Sequence, residues 1–499
     1  MKHSVSLIGF YKVMNVLERQ EIRGVLETSL INQTLHIPQM YASMKMKISI
    51  QEKAWLLIIV TSPEGTIRAQ GLLMDGSIEF CFSEDLYSTS FSTVPGKISA
   101  GDWSIELLNA LPKKGPYLIE VVYGQDSLPK LDSEPLQVFA TSQYEAGFML
   151  NNWNPNEAVN TEQRWYKGDF HTHTFYSDGK LSPQEGMTSA KEIGLDFFVA
   201  TDHNIIPTKW LKDSTLVIPG VEITSSRGHF NALGVRSWVD WRPTASDKGM
   251  ESERGMNRIL KEVGSQGALR SINHPLLRPW QWAFKETLLS EIDVIEIWND
   301  PTFPDNVNAT KQALVLWDTL LNDGYSIPGI GGSDSHMRPT ESYVEGGPAS
   351  LIGDPSTYVW ANELSAQAIL DSVKLGNVYV SRGQVLNPSF FVNGESVHMG
   401  ESIAQNSDIT FKLNYKCTTN GNRLVKVING VRTEVENLEL EGIYKEEIKG
   451  EEGYRWIRYE VRSSNGELLA FLNPIFNGTK KHSLHIWADL LEKAGFNND

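Results

Sequence analysis

The sequence predicts a central α/β domain flanked on both sides by β-rich modules. Strand-like runs separated by turn residues reach about residue 160, short apolar runs alternate with helical segments over 165–385, and strand-like runs return beyond 386. A chain of 499 residues exceeds one typical core, which agrees with three domains at 1–160, 165–385 and 386–499.

The N-terminal module is predicted to be sandwich-like. Its β-prone runs are MKMKISI, AWLLIIVTS, SIEFCF, WSIELL and YLIEVVYG, and turn signals such as SPEG, MDGS and PKKGP separate them. The stretch YEAGFMLNNWNPNEAVNTEQ that follows is polar, Asn-rich and without periodicity. We interpret it as a linker or surface connection.

Helices are predicted at four places in the central segment. The first begins at Ser182, an N-cap followed by Pro183 and by Glu185 in capping-box position, and it stops at Gly194. The others cover 251–265, 306–322 and 365–375.

The C-terminal module repeats the β pattern without a repeat of fixed period. Its strand-like runs are PSFFVNG, DITFKLNYK, RLVKVING, YRWIRYEVRS and ELLAFLNPIF, and a helix over SLHIWADLLEKAG is expected to close the chain.

Composition excludes several classes of protein. With 45 basic and 61 acidic residues the net charge is −16, which argues against a broad basic surface for long nucleic acid. No segment approaches the roughly 20 apolar residues of a membrane span, and MKHSVSLIGFYKVMNV is not expected to be a signal peptide. Because Cys81 and Cys417 are far apart and alone, a cytoplasmic location is expected.

Ionisable residues follow the apolar runs of the central segment. They come after GDF, DFFVAT, LVIPGV, LRSIN and SIPGIGGS, where a parallel α/β barrel would place its active site. Six of the eleven histidines lie between positions 171 and 336. The candidate metal ligands are His171, His173, Asp178, His203, Glu222, His229, His274, Asp334 and His336.

These residue types indicate particular metals. His171 and His173 are two apart on a predicted strand, so both imidazoles face one side, although such a pair alone is more often without function. Imidazole with carboxylate suits zinc, manganese or iron, whereas calcium and magnesium prefer oxygen alone. Nine candidates exceed what one ion needs, so two or three divalent ions are predicted.

Six motifs resemble those of the PHP (polymerase and histidinol phosphatase) metal-dependent hydrolases. They are DFHTHTFYSDG, TDHN, GVEIT, GHFNALG, NHP and GGSDSH, in the family's order, and they span roughly 165–385. VYVSRG and NPIF in the flanking regions look like the CehA/McbA-type branch. The resemblance implies a distorted seven-stranded (β/α) barrel flanked by the sandwich-like domains.

The resemblance also implies which residues share a metal. It assigns His171, His173 and Asp334 to one ion, Glu222 as a bridge to a second ion with His274 and His229, and Asp178, His203 and His336 to a third. The loop SSRG before His229 can shift its register. If His229 points away, two ions are the working number.

A metal-dependent hydrolase is therefore predicted, in which a hydroxide that bridges two metal ions is the nucleophile. The residues expected to act in catalysis through this metal-activated water are Glu222, His203 and Asp178. The first hypothesis is a phosphoesterase for a small phosphorylated compound, a nucleotide or an oligonucleotide 5′ end. The alternative, implied by the CehA/McbA likeness, is hydrolysis of carbamates or carboxyl esters. A third hypothesis is a binding module without enzymatic activity. The residues do not indicate an oligomeric state.

Other polar and aromatic residues near the motifs have less specific roles. Candidates for gripping the substrate are Arg227, Arg278, Arg338, Arg382 and Asn299. Asp202 and Asn204 either act in catalysis or, at least as readily, orient His203 or cap a loop. The tryptophans that could line a pocket are Trp280, Trp282 and Trp298. Packing in the protein core is the slightly favoured interpretation for them.

Overall fold

The computed structural model describes residues 17–110, 114–132, 135–141 and 147–496, which form two compact units. The described part of the first unit covers residues 17–110 and 114–132, and that of the second unit covers residues 135–141 and 147–496. Residues 1–16, which carry the expectation about a signal peptide, lie outside the described residues, as do 144–146 of the predicted linker.

The first unit consists of two four-stranded antiparallel sheets, ordered β1-β8-β3-β6 and β2-β7-β4-β5. Its strands are β1 Glu18–Val25, β2 Leu30–Ile37, β3 Ser43–Ile50, β4 Leu56–Thr61, β5 Ile67–Leu73, β6 Ser77–Ser83, β7 Gly101–Asn109 and β8 Pro116–Gly124, with a 3-10 helix at Leu86–Ser88.

Alternation of residue type explains how these sheets pack. In β3, Met44, Met46 and Ile48 are buried, while Lys45 and Lys47 between them are exposed. Side chains from both sheets contribute to one apolar core. The first unit thus has the sandwich-like arrangement that the alternating runs predict.

The central segment of the second unit alternates strands with helices. Its strands are β9 Leu136–Val138, β10 Arg164–Asp169, β11 Phe197–Ala200, β12 Lys209–Leu211, β13 Leu216–Ser225, β14 Gly228–Leu233, β15 Leu269–Ile272, β16 Val294–Asn299, β17 Gly329–Gly332, β18 Ser356–Ala361 and β19 Val378–Ser381. Its helices are α1 Pro183–Glu192, α2 Glu253–Ser265, α3 Asn306–Asn322 and α4 Ala366–Lys374, with 3-10 helices at Gly249–Glu251 and Leu289–Glu291.

All four predicted central helices are confirmed. At the start of α1, the Ser182 side chain accepts from the backbone N–H of Glu185 at 3.1 Å, and the Glu185 carboxylate accepts from the backbone N–H of Ser182 at 2.8 Å. This is the predicted capping box. Gly194 follows with φ of 72°, a left-handed conformation that favours glycine.

Seven strands form the part of the sheet that carries the candidate ligands, in the order β17-β16-β15-β14-β13-β11-β10. The segments that follow the two outermost strands, β10 and β17, contact each other. There the Asp334 N–H donates to the His171 carbonyl at 2.9 Å, and Thr172 and Ser335 form an isolated parallel β-bridge. Most neighbouring pairs are parallel, but β14 is antiparallel to both neighbours.

The antiparallel strand β14 interrupts the regular alternation of strand and helix. Only Ser226 and Arg227 separate β13 from β14, which is too short for a crossover helix, so the two strands form a hairpin. The mixed α/β class is confirmed, with many strands and few helices. The distorted (β/α) barrel remains a prediction.

The C-terminal segment continues the same sheet, because β19 pairs with β28. Its elements are β20 Val385–Val392, β21 Glu395–Val397, β22 Ser402–Ile403, β23 Ile409–Lys416, β24 Asn422–Ile428, β25 Val431–Leu438, β26 Glu441–Ile448, β27 Arg455–Arg462, β28 Leu468–Leu472, β29 Ile475–Asn477 and α5 Trp487–Ala494. A four-stranded sheet ordered β21-β20-β23-β26 shares a core with β24, β27 and β28. The three-domain division remains a prediction.

None of the helices within the described ranges is long and apolar enough to cross a membrane.

Candidate metal centre

The central strands and the loops that follow them bring all nine predicted ligands together. They form four overlapping groups, and within each group the ligand atoms lie within 4.8 Å of one another. The groups are His173, Asp178, His203 and His336; His171, His173 and Glu222; His171, His274 and Asp334; and His203, Glu222 and His229. We call these nine residues the ligand cluster.

Glu222 lies at the middle of the ligand cluster, and its two oxygens face different histidines. Oε1 is 3.2 Å from His171 Nε2 and 3.2 Å from His229 Nδ1. Oε2 is 2.7 Å from His203 Nδ1 and 3.6 Å from His173 Nε2. A carboxylate placed in this way is suited to bridge two cations. His229, whose register the sequence leaves open, points into the cluster.

The other two carboxylates also face histidines of the cluster. Asp334 Oδ1 lies 3.0 Å from His173 Nε2 and 3.2 Å from His171 Nε2. Asp178 Oδ1 lies 3.1 Å from His336 Nε2 and 3.3 Å from His203 Nε2. The predicted third set is therefore assembled around Asp178.

The donor atoms of the cluster fit a divalent cation. His171 Nε2, both ring nitrogens of His173 and Oδ1 of Asp178 are buried and have no hydrogen-bond partner among the described residues. Ligands about 2.1 Å from a shared cation are separated from one another by about 3.0–3.4 Å, close to the spacings found here. The cluster thus suits divalent metal binding.

One end of the ligand cluster is open. The side chains of His171, His173 and Glu222 are 0% exposed, whereas those of Asp178, Asp334 and His336 are 16%, 18% and 24% exposed. A substrate from solvent therefore meets this last set first.

Electrostatics keep the carboxylates ionised. Burial by itself would raise the pKa of Glu222, but the neighbouring imidazolium groups of His171 and His203 outweigh it and hold the pKa well below its usual range. Burial is also outweighed at Asp178 by His203 and His336, and at Asp334 by His171 and His336. The pKa of each of these carboxyl groups is therefore held well below its usual range. All three carboxylates are thus available to a cation at neutral pH.

The histidines divide into two kinds. Burial, with repulsion from His336 and His203, lowers the pKa of His173 to about 3, so the ring is uncharged at neutral pH and one of its nitrogens has a free lone pair. Burial also favours the neutral form of His336, but Asp178 and Asp334 outweigh it and raise the pKa to about 9. A cation that binds His336 must therefore displace a proton.

Hydrogen bonds orient two of the ligand rings. His336 Nδ1 donates to the Asp334 carbonyl at 2.7 Å, and His171 Nδ1 faces Glu296 Oε1 at 2.9 Å. In each neutral ring this leaves the Nε2 lone pair directed at the cluster carboxylates. Gly332 permits the second contact, since a Cβ there would lie 2.5 Å from His171 Cβ and 2.6 Å from Glu296 Oε1.

Glu296 is a residue that the sequence analysis missed. Besides contacting His171, its Oε2 accepts from the His274 backbone N–H at 2.9 Å and from Asn299 Nδ2 at 3.1 Å. A signal was present, because a glutamate inside the apolar run VIEIWN is expected to be buried and must then have partners.

Asp202 adopts one of the two roles that the sequence left open. It accepts from Thr174 N–H and Thr174 Oγ1, both at 2.7 Å, and from Ser177 Oγ at 2.6 Å. These bonds cap the turn that carries Asp178. Asn204, with φ of 57°, donates to the Thr224 carbonyl at 3.1 Å.

Two ligands themselves have a backbone conformation that favours glycine. The φ angles are 29° at His274 and 48° at Asp334. Such conformations cost on the order of 1–3 kcal/mol each and persist where the surroundings enforce them, which is common at functional sites.

The predicted substrate contacts have different surroundings. Arg227 pairs with Glu253 and donates to the Ala283 carbonyl, and Arg382 makes two bonds to Asp354 at 2.7 and 2.8 Å. Arg278 and Arg338 are exposed. Asn299 is buried at the cluster, where its amide donates to Asp334 Oδ2 at 3.2 Å. A role of these five in substrate binding remains a prediction.

Comparison with known proteins gives matches among solved structures only. No family model matches the chain, and no curated protein matches it. A crystal structure of a two-domain protein from Bacteroides vulgatus, containing a predicted PHP-like metal-dependent phosphoesterase, is 18% identical, with 64% of this chain and 99% of that chain covered at a TM-score of 0.34.

Two further solved structures have lower similarity. A Bifidobacterium adolescentis protein, for which a metal-dependent phosphoesterase function has been put forward, is 13% identical over 37% of this chain and 92% of that chain, with a TM-score of 0.21. The pre-peptidase C-terminal domain of a Bacillus anthracis collagenase is 11% identical over 21% and 88%, with a TM-score of 0.16. These scores are too low to establish a shared fold.

Proposed function

We propose that this chain is a metal-dependent phosphoesterase of PHP type that acts on a small phosphorylated compound, a nucleotide or an oligonucleotide 5′ end. The supporting observation is the ligand cluster itself, in which six imidazoles and three carboxylates direct buried donor atoms at one another. Assignment to the CehA/McbA-type branch is a prediction from the sequence.

Two or three cations, of zinc, manganese or iron, are proposed for the cluster. Glu222 would bridge, because its two oxygens face different histidines, and Asp178, His203 and His336 would hold the ion nearest to solvent. Bound divalent cations supply positive charge for phosphoryl oxygens and lower the pKa of a coordinated water.

The chain's own residues favour an anionic substrate at the open end. His336, Asp334 and Asp178 are the more exposed cluster side chains there, and Asn299 donates to Asp334 through its amide. Two or three divalent cations against three carboxylates would leave the loaded site with an excess of positive charge, because the ligand imidazoles are neutral, and this charge attracts a phosphate ester more than a neutral ester.

The test is metal analysis together with hydrolysis of a phosphomonoester panel that includes nucleotides. We expect two or three bound divalent ions per chain and release of phosphate. The double variant His171→Ala, His173→Ala should lose both bound metal and turnover. The matched control is His36→Ala, an exposed histidine paired with Asp102 outside the cluster, which should retain both.

Two results would contradict the proposal. Turnover of naphthyl carbamate or aryl esters without phosphate release would support the carbamate and carboxyl-ester alternative. A metal-loaded chain that hydrolyses neither class would support the binding-module hypothesis.

A further inference from the structure

Three aromatic side chains from separate loops pack in a row near the ligand cluster. Trp280 and Phe303 have ring centroids 6.1 Å apart at 62°, and Phe303 and Tyr343 are 5.1 Å apart at 79°, both edge-to-face arrangements. We call Trp280, Phe303 and Tyr343 the aromatic rim.

The loops of the aromatic rim all leave strands that supply the cluster. Trp280 lies in the loop after β15, which also contains His274; Phe303 follows β16; and Tyr343 lies in the loop after β17, beyond Asp334. Because these strands are parallel neighbours, their C-terminal ends and the following loops lie on the same side of the sheet.

Asp300 connects the rim with the cluster. The residue before it, Asn299, donates to Asp334 Oδ2 at 3.2 Å. Phe303 N–H donates to the Asp300 carbonyl at 3.2 Å, and burial together with the nearby Asp300 carboxylate raises the pKa of the Tyr343 hydroxyl. The rim is therefore connected to the Asp334 side of the cluster through Asn299 and Asp300.

Trp280 differs from the other tryptophans proposed from the sequence as pocket residues. Trp282 and Trp298 are buried, which agrees with core packing, but Trp280 is 42% exposed. An exposed indole leaves apolar area in contact with water that a ligand can cover.

The loops that present the rim are held by hydrogen bonds. Leu277 N–H donates to the His274 carbonyl at 2.9 Å and Trp282 N–H to the Pro275 carbonyl at 3.0 Å, so the loop carrying Trp280 is closed at its base. Thr302 donates through N–H and Oγ1 to Asp300, before Phe303. A surface fixed in this way loses little conformational entropy when a ligand binds.

We propose that the aromatic rim is a subsite for a planar aromatic ring of the substrate, so that the preferred phosphoesters carry an aryl or heteroaryl group. The inference rests on the proposed function for the position of the phosphate, which would lie at the cluster while the ring packs against Trp280. Packing of a flat ring against an indole is favoured over packing of a saturated group of similar size.

Binding of non-hydrolysable phosphonates to the metal-loaded chain tests this directly. By calorimetry we expect phenylphosphonate to bind about tenfold more tightly than methylphosphonate or cyclohexylphosphonate. Trp280→Ala should remove that difference and leave methylphosphonate binding unchanged, while Trp280→Phe should retain most of it. The control Leu375→Ala removes a 70% exposed apolar side chain outside the ligand-bearing loops and should retain the full difference.

Two further ligand pairs identify the source of the ring. A preference for adenosine monophosphate over ribose 5-phosphate that depends on Trp280 would indicate a nucleobase. A preference confined to phenylphosphonate would indicate a simple aryl group. Either result supports the subsite.

The subsite and the proposed function fail in different ways. Equal binding of phenylphosphonate and methylphosphonate, or a preference that survives Trp280→Ala, would overturn the subsite even if phosphate is released from the panel. A Trp280-dependent ring preference without any phosphoester turnover would leave the subsite standing and overturn the phosphoesterase assignment.

Discussion

A single buried carboxylate, that of Glu296, contacts two of the nine candidate ligands. Oε1 is bonded to the His171 ring and Oε2 to the His274 backbone, whose φ of 29° favours glycine. Glu296 thus acts as a positioning residue, fixing the tautomer of one ligand and the backbone of another. Its effect should appear in metal affinity even where no substrate is present.

Glu296→Gln is expected to weaken metal binding by about 10–100-fold, because the amide cannot accept both hydrogen bonds and lacks the charge that increases the basicity of His171. Competition with a chelator measures the affinity, and circular dichroism checks that the fold is retained. Glu395→Gln, at an exposed position, controls for the loss of one charge. Unchanged chelator competition would show that Glu296 has no positioning role.

At the scale of elements, the turn after β10 depends on a residue from another strand end. Asp202, after β11, accepts three hydrogen bonds from Thr174 and Ser177, and the turn they form presents Asp178. A second buried carboxylate, Asp169, accepts from the backbone N–H groups of His171, Ser333 and Gly353 and joins the ends of β10 and β17. The ligand-bearing loops therefore support one another.

Asp202→Asn is expected to reduce the metal content by about one ion per chain, because the amide keeps one acceptor oxygen and the turn carrying Asp178 loosens. Elemental analysis of the purified variant measures this. The matched control is Ser182→Ala, which removes the N-cap of α1 and should cost about 1 kcal/mol of stability without loss of metal. Full metal content in Asp202→Asn, or loss of every ion, would contradict the assignment.

At the scale of the whole molecule, a buried ion-pair network joins α3 to the C-terminal sheet. Asp318 of α3 accepts from Arg458 at 2.8 Å and from Arg432 at 2.9 Å, and Glu460 accepts from Arg458 at 2.7 Å. Burial by itself would raise the pKa of Glu460, but Arg458, Arg462 and Arg432 outweigh it and lower the pKa to about 2. The central and C-terminal segments are thus coupled in stability.

This pKa sets a pH dependence of stability. Since the pKa of Glu460 is lowered on folding from 4.5 to about 2, its ionised form stabilises the fold above pH 4.5, and that contribution is lost as the pH falls towards 2. It is on the order of 3 kcal/mol. In urea unfolding, the stability difference between the wild type and Glu460→Gln should be largest near pH 7 and shrink below pH 4.5.

An exposed glutamate provides the control for that series. Glu441→Gln should show a small difference from the wild type at every pH. If the difference for Glu460→Gln stays constant from pH 7 to 3, the network does not depend on the ionised carboxylate.

The sequence alone determined the elements that depend on local pattern and the residues that could bind metal. Periodicity gave α1 with its cap and the alternating strands of the first unit, because these depend on neighbours within a few positions. The ionisable residues that follow apolar runs also identified the nine candidate ligands. Residues that follow parallel strands lie together at one edge of the sheet.

Only the tertiary structure decided which of these groups meet. It placed His173 beside both Glu222 and Asp178, turned His229 inward, revealed Glu296, and left Trp280 exposed while Trp282 is buried. It also made β13 and β14 a hairpin and carried one sheet past residue 385. These features depend on distances between residues far apart in the chain, which local preference does not encode.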